Sequence, residues 1–248
     1  MTTAILDPVL ILGGGSDIGL AIAHRFAKAG YPIVLAARDV EKLEGNRADM
    51  ALRHNVEVTT ATFDVLDTAA MPGFIAGLDH TPGTVVSVIG AMGEQDQSEA
   101  DPEAAAMVMR ANYEGPALIM GMFAAQMEEA GHGVLVGVSS VAGDRGRAAN
   151  YIYGSAKAGF TAFLSGLRNR LAKRGVHVLT VKPGFVATRM TEGMDLPKAL
   201  TAAPEEVGEK VFDAVQARRN VIYVRSIWWL IMLIIRSIPE RIFKKMSL

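Results

Sequence analysis

A four-residue apolar run, Val9-Leu10-Ile11-Leu12, leads straight into Gly13-Gly14-Gly15-Ser16-Asp17-Ile18-Gly19 and then into the helical pattern LAIAHRFAKAG, which stops at Gly30. A strand without polar alternation is one buried on both faces, as in a parallel sheet covered by helices above and below. Strand, glycine turn and helix in that order also build an anion cradle. Glycines let backbone N–H groups approach a pyrophosphate at a helix N-terminus. Gly13, Gly15, Ser16, Asp17, Ile18 and Gly19 are therefore candidate cofactor contacts.

The same alternation continues. Strands are expected at Ile33–Ala37, Glu57–Phe63, Thr84–Ile89, Gly133–Ser139, Val176–Val181 and Val221–Val224, and helices over 101–130, 150–173 and 204–219. The fold class that follows is α/β, a single Rossmann-like doubly wound parallel sheet of about seven strands. With 248 residues and half of them apolar, the chain can bury one full core. We read residues 1–225 as that domain and residues 226–248 as a separate apolar-basic tail. The formal net charge of −1 gives no electrostatic case for nucleic acid. Absence of cysteine excludes disulfides and thiolate chemistry, and the five histidines form no ligand-spaced pair, so no metal site is expected. The N-terminus lacks a basic stretch followed by a long apolar run, which points to the cytoplasm.

Chemistry concentrates in VSSVAGDRGRAANYIYGSAK, residues 138–157. Tyr153 and Lys157 stand four apart on a predicted helix and share one face. An ammonium beside a phenol favours the phenolate, making the tyrosine a usable acid/base near neutral pH. A serine at the end of the preceding strand, Ser139 or Ser140, could hold a carbonyl or hydroxyl oxygen for it. At the end of the second strand an acidic residue would bind a ribose 2′-hydroxyl, whereas arginine accommodates a 2′-phosphate. Ala37 and Arg38 stand there, which favours NADP(H) over NAD(H), and Ser16 could add a contact.

The glycine turn, Asn112, Ser140, Tyr153, Lys157 and Pro183-Gly184 occur in one order, and over about residues 8–224 the chain resembles the short-chain dehydrogenase/reductase family. The resemblance implies an oxidoreductase acting on a ketone or alcohol, with Asn112, Ser140, Tyr153 and Lys157 as the catalytic set. Ser140 is chosen over Ser139 because it precedes Tyr153 by the family's usual thirteen residues. Asn112 is expected to bend its helix and link the lysine to water. The resemblance further places Asp64 and Val65 against adenine, Gly90 beside the nicotinamide ribose, and Pro183, Gly184, Val186 and Thr188 over the nicotinamide. Residues 189–203 would form a mobile substrate lid, and a homo-oligomer is expected. Two departures stand out. Asp17 occupies the middle glycine of G-x-x-x-G-x-G, where it is expected to turn outward and cap the helix. Val88-Ile89-Gly90-Ala91 replaces N-N-A-G, which removes side-chain support for the central strand.

After Arg225 comes SIWWLIMLIIRSIPERIFKKMSL. Its uninterrupted apolar run, Ile227–Ile235, is well short of the ~20 residues a spanning helix needs. Tryptophans at its edge and Arg236, Arg241, Lys244 and Lys245 beyond suit a segment lying in a membrane interface, with packing on a neighbouring subunit as the alternative. Asp17, AGDRGRAANYIYGSAKAG, the lost N-N-A-G and the ending RSIPERIFKK together resemble those family members that reduce polyprenyl-phosphate-linked 2-keto sugars beside a flavin-dependent oxidase partner. That resemblance implies a lipid-linked ketone substrate and a peripheral position on the inner face of the cell membrane. The alternatives are a reductase of soluble or acyl-carrier-bound ketones, and a non-catalytic NADP-binding scaffold.

Overall fold

The computed structural model describes residues 6–246. In chain order its elements are β1 (Val9–Leu12), α1 (Asp17–Lys28), β2 (Ile33–Ala37), α2 (Glu44–His54), β3 (Val58–Thr62), α3 (Met71–Ala76), β4 (Thr84–Ser87), α4 (Gln95–Ala100), α5 (Pro102–Met109) and α6 (Gly115–Ala130). They continue as β5 (Gly133–Val138), α7 (Tyr151–Leu171), β6 (Val176–Pro183), β7 (Phe185–Val186), β8 (Thr201–Ala202), α8 (Pro204–Gln216), β9 (Val221–Val224), α9 (Ile227–Ser237) and α10 (Glu240–Phe243). Seven strands form one parallel sheet in the order β3-β2-β1-β4-β5-β6-β9, as the apolar runs predict. The order reverses between β1 and β4, and there the carboxyl ends of strands open a crevice for ligands.

Each face of the sheet carries its own core. Ile22 and Phe26 of α1, Met50 of α2 and Val207 and Val211 of α8 bury against one face. Ile119 and Phe123 of α6 with Phe160 and Leu164 of α7 bury against the other. Fully burying one such side chain is worth roughly 1.5–3 kcal/mol, so the two layers hold the strand ends rigidly in place.

The expected helix over 101–130 is interrupted. Five residues, Arg110–Glu114, adopt a π-helical turn between α5 and α6. Pro116 explains it, because proline has no N–H for the carbonyl four residues back, at Asn112, and its ring crowds that carbonyl. Asn112 itself sends its side-chain amide back to Val108 O at 2.8 Å, so the widened turn fixes this residue in the core. β4 leaves the ladder after Ser87, earlier than expected, while β6 runs on to Pro183. The segment expected to be a lid is pinned at its root by a small parallel pair, Phe185↔Thr201 and Val186↔Ala202.

The described residues beyond Arg225, through α9, pack on the domain. Trp228 and Met232 of α9 bury with Val141, Phe185, Leu200 and Tyr223 as partners. Arg145 grips the far end, donating to Ile235 O at 2.6 Å, Ile238 O at 2.7 Å and Glu240 Oε2 at 3.0 Å. On the opposite face Trp229, Leu230, Leu233 and Ile234 form an exposed apolar stripe. Among the described residues no helix is long and apolar enough to cross a membrane.

Candidate active site

β5 delivers two serines with different duties. Ser139 Oγ donates to Lys157 O at 2.9 Å and shares a hydrogen with Thr161 Oγ1 at 2.7 Å, tying α7 to the sheet. Ser140 Oγ accepts from Ala142 N at 3.1 Å and faces the same cavity as Tyr153. α7 turns Tyr153 and Lys157 to the same side, with Lys157 Nζ 5.8 Å from the Tyr153 ring centre. Lys157 is only 3% exposed, and its ammonium donates to Ile89 O at 3.3 Å and Val138 O at 3.2 Å. Burial pulls its pKa down to about 8.

Burial raises the Tyr153 pKa, and the Ser140 hydroxyl counters this. Lys157 gives its ammonium to two backbone carbonyls.

Asn112 is fully buried, with Nδ2 donating to Ala91 O at 2.6 Å, while Oδ1 has no hydrogen-bond partner. This oxygen and Lys157 Nζ converge on Gly90, where an added Cβ would lie 2.9 Å and 3.3 Å from them. A larger residue after β4 would press on both side-chain ends and shift them.

At the other end of the crevice, Gly13 N and Gly14 N both donate to Ala36 O, at 3.0 and 2.9 Å, folding the turn tightly beneath α1. A Cβ on Gly19 would fall 2.5 Å from Gly13 O, so the helix can start this close only with glycine there. Ser16 is the helix cap, accepting from Gly19 N at 3.1 Å and donating to Gly13 O at 2.8 Å. This corrects the capping role expected of Asp17. The Asp17 carboxylate does turn away from the turn, but toward Arg189, accepting from its backbone N at 2.8 Å and from Nε at 3.0 Å. Arg189 Nη2 also donates to Gly15 O at 2.6 Å.

A cavity of ≈160 Å³ joins these parts. Of the predicted residues it brings together Ile18, Gly90, Ser140, Tyr153 and Lys157, and Pro183, Gly184, Val186 and Thr188 close its other wall. Asn112 stands behind Gly90. Arg38 and Asp64 lie exposed just beyond the ends of β2 and β3, and Val65 is buried beside Asp64. The unpaired Asn112 Oδ1 and the tight glycine turn before α1, closed by Gly19, fit a dinucleotide spanning the crevice. A larger open groove of ≈760 Å³ lies between α1, α2 and α8, where the charges pair among themselves, Arg25 with Glu209 and Arg53 with Asp49.

Sequence reasoning missed several residues of this site. Trp228 of α9 lines the cavity, its Nε1 donating to Leu200 O at 3.0 Å and its ring against Gly184, where no Cβ would fit. Arg147 and Asn150 line it as well, and Met190 and Met194 line it from the segment expected to be the substrate lid. Behind Ser140, Asp144 accepts from Lys182 Nζ at 2.5 Å and from Tyr223 OH at 2.7 Å. The two arginines of the D-R-G-R run were the one visible signal, and nothing in their spacing separates the one that holds α9 from the one that lines the cavity.

Comparison with known proteins agrees with this geometry. The family model described as short chain dehydrogenase matches residues 7–198. This protein belongs to the short-chain dehydrogenase family. It is an NAD(P)-dependent oxidoreductase acting between CH–OH and C=O. An uncharacterized oxidoreductase of Mycobacterium tuberculosis is 39% identical over 242 residues, 96% of each chain. An uncharacterized oxidoreductase of Streptomyces coelicolor is 35% identical over 244 residues, 96% of this chain and 95% of that one. Among solved structures, a short-chain dehydrogenase from Sphingobium yanoikuyae in complex with NADPH superposes with a TM-score of 0.81 at 22% identity, covering 95% of this chain and 97% of the other. Actinorhodin polyketide ketoreductase with NADPH gives 0.80 at 24% identity, covering 90% and 97%. With these two the chain shares the fold.

Proposed function

We propose that this short-chain dehydrogenase uses NADPH to reduce a ketone on a lipid-linked substrate, a polyprenyl-phosphate 2-keto sugar. The carrying observation is Trp228. One helix places this indole in the wall of the catalytic cavity and an apolar stripe, Trp229 through Ile234, on the outer surface beside it. A lipid tail leaving the cavity would meet apolar protein rather than water, and basic Arg236, Arg241, Lys244 and Lys245 would face anionic headgroups. This reading puts the enzyme peripherally on the inner face of the membrane and likens it to decaprenylphosphoryl-2-ketopentose reductase, with a flavin-dependent oxidase as the partner that forms the ketone. NADP is favoured over NAD by Arg38, which follows Ala37 at the end of β2. The two solved neighbours named above were determined with NADPH.

The bound nicotinamide supplies the hydride. Tyr153 gives its proton to the oxygen of the reduced carbonyl, Ser140 Oγ donates a hydrogen bond to the same oxygen, and Lys157 holds positive charge beside them. Its lowered pKa leaves most of that charge in place at neutral pH. Asn112 Oδ1, the free acceptor at the lysine's side of Gly90, would carry the returning proton through water.

The test is NADPH oxidation by the full chain with membrane lipid extract, compared with NADH and with Tyr153→Phe. The expected result is consumption that needs the lipid fraction, NADPH and Tyr153. Turnover of soluble ketones with no gain from lipid would transfer the assignment to a plain ketone reductase.

A further inference from the structure

The catalytic cavity is lined by no aspartate or glutamate, yet two cationic side chains reach it, Lys157 and Arg147. Lys157 is satisfied by two carbonyls. Arg147 is not: its Nε is buried without a hydrogen-bond partner, and no carboxylate pairs with its guanidinium among the described residues. Comparable half-buried arginines are all engaged. Arg145, two residues earlier, holds the end of α9; Arg168 donates to Val178 O and Thr180 Oγ1; Arg225 pairs with Glu206. Asn150 Oδ1, on the same loop and the same cavity wall, is likewise buried and unpartnered.

A guanidinium Nε withdrawn from water without an acceptor is a costly arrangement, and burial alone pulls the Arg147 pKa down. The cofactor's pyrophosphate is not its natural partner, because the glycine turn contributes only Ile18 to this cavity. Arg147 instead belongs to the loop between Ser140 and Tyr153, on the side where the reacting carbonyl is held.

We propose that Arg147 is the anion-recognising residue of the substrate cavity, and that the substrate is a ketone carrying a phosphate which this guanidinium binds with two donors. The proposal deepens the lipid-linked reading, since a prenyl phosphate supplies both the anion and the apolar tail. A soluble sugar phosphate would supply the anion alone. Bidentate phosphate recognition suits arginine specifically, because its planar fork matches two phosphate oxygens where lysine presents a point charge.

The experiment uses the full chain saturated with NADPH and reads tryptophan fluorescence, with Trp228 in the cavity wall as reporter. Farnesyl phosphate, farnesol and inorganic phosphate are titrated in turn. Wild type should bind farnesyl phosphate at least roughly tenfold more tightly than farnesol. Arg147→Leu should erase that gap, and Arg147→Lys should restore only part of it. NADPH affinity of each variant, measured by nicotinamide fluorescence, reports that the fold is intact. Equal binding of farnesyl phosphate by wild type and Arg147→Leu overturns the proposal, as does failure of wild type to bind either phosphate at millimolar concentration. Should inorganic phosphate bind in an Arg147-dependent way while the farnesyl chain adds nothing, the anion site stands and the lipid reading falls.

Discussion

Replacing Lys157 with methionine removes a buried charge while keeping a straight side chain of similar length, and the consequence should depend on pH. Lys157 has no carboxylate partner, and burial lowers its pKa from 10.5 to about 8. In the unfolded chain it titrates near its ordinary value. Below pH 8 both states hold the proton, and the native state bears the full cost of an ammonium out of water. Between pH 8 and 10.5 the native lysine releases its proton before the unfolded one does, so stability rises with pH through that window. Above 10.5 both are neutral and the cost is gone. A shift of about 2.5 pH units corresponds to about 3 kcal/mol. Methionine leaves the carbonyls of Ile89 and Val138 without their donor, a loss that does not vary with pH. Urea unfolding of both proteins from pH 7 to 10.5 therefore separates the two effects. The stability difference between variant and wild type should change by about 3 kcal/mol across the window, favouring the variant most at pH 7. Curves that run parallel within about 1 kcal/mol would show that the ammonium is not desolvated as the structure implies.

Asp144→Ala should strand Lys182, whose side chain is 10% exposed, and unpair Tyr223, lowering stability by about 3–5 kcal/mol in thermal or urea unfolding. The double change Asp144→Leu with Lys182→Met should recover most of that loss, and a double variant no better than the single would argue against an electrostatic cause. Arg189→Gln should release the contact that joins the segment after Thr188 to the glycine turn. The arginine side chain is 69% exposed, so the effect is modest, roughly a three- to tenfold faster NADPH dissociation in stopped-flow fluorescence. Asp17→Asn should do the same, and the pair together should be no worse than either; tighter NADPH binding by Asp17→Asn would instead mean that Arg189 binds the cofactor directly.

The sheet was legible because a parallel strand buried on both faces is rich in apolar residues: VLIL and IVLAA are unbroken runs, and VHVLTV is interrupted only by His177 and Thr180. The spacing of Ser140, Tyr153 and Lys157 was legible for a similar reason, since a strand end and one helix face leave little freedom. A bend at Asn112 was expected from the family resemblance, but the π-helical turn and the split into α5 and α6 were not, although Pro116 was in plain view, because a proline can start, kink or end a helix and only packing selects among these. The partner of Asp17 lies 172 residues away in Arg189, beyond any local pattern. Arg145 and Arg147 are the sharpest case. Two positions apart on one loop, they take unlike duties because α9 returns to meet the first and leaves the second facing the cavity.

The packing of Trp228 on Gly184 carries a lesson for anyone editing this enzyme. Gly184 sits between β6 and β7 beside Ser140, Tyr153 and Lys157, while Trp228 belongs to the distant α9. The two must change together or not at all: a side chain at 184 evicts the indole, and a chain stopped before 228 leaves the catalytic set with one wall missing. Exchanging α9 among relatives would therefore have to carry position 184 with it, the glycine being the socket that the indole has to match.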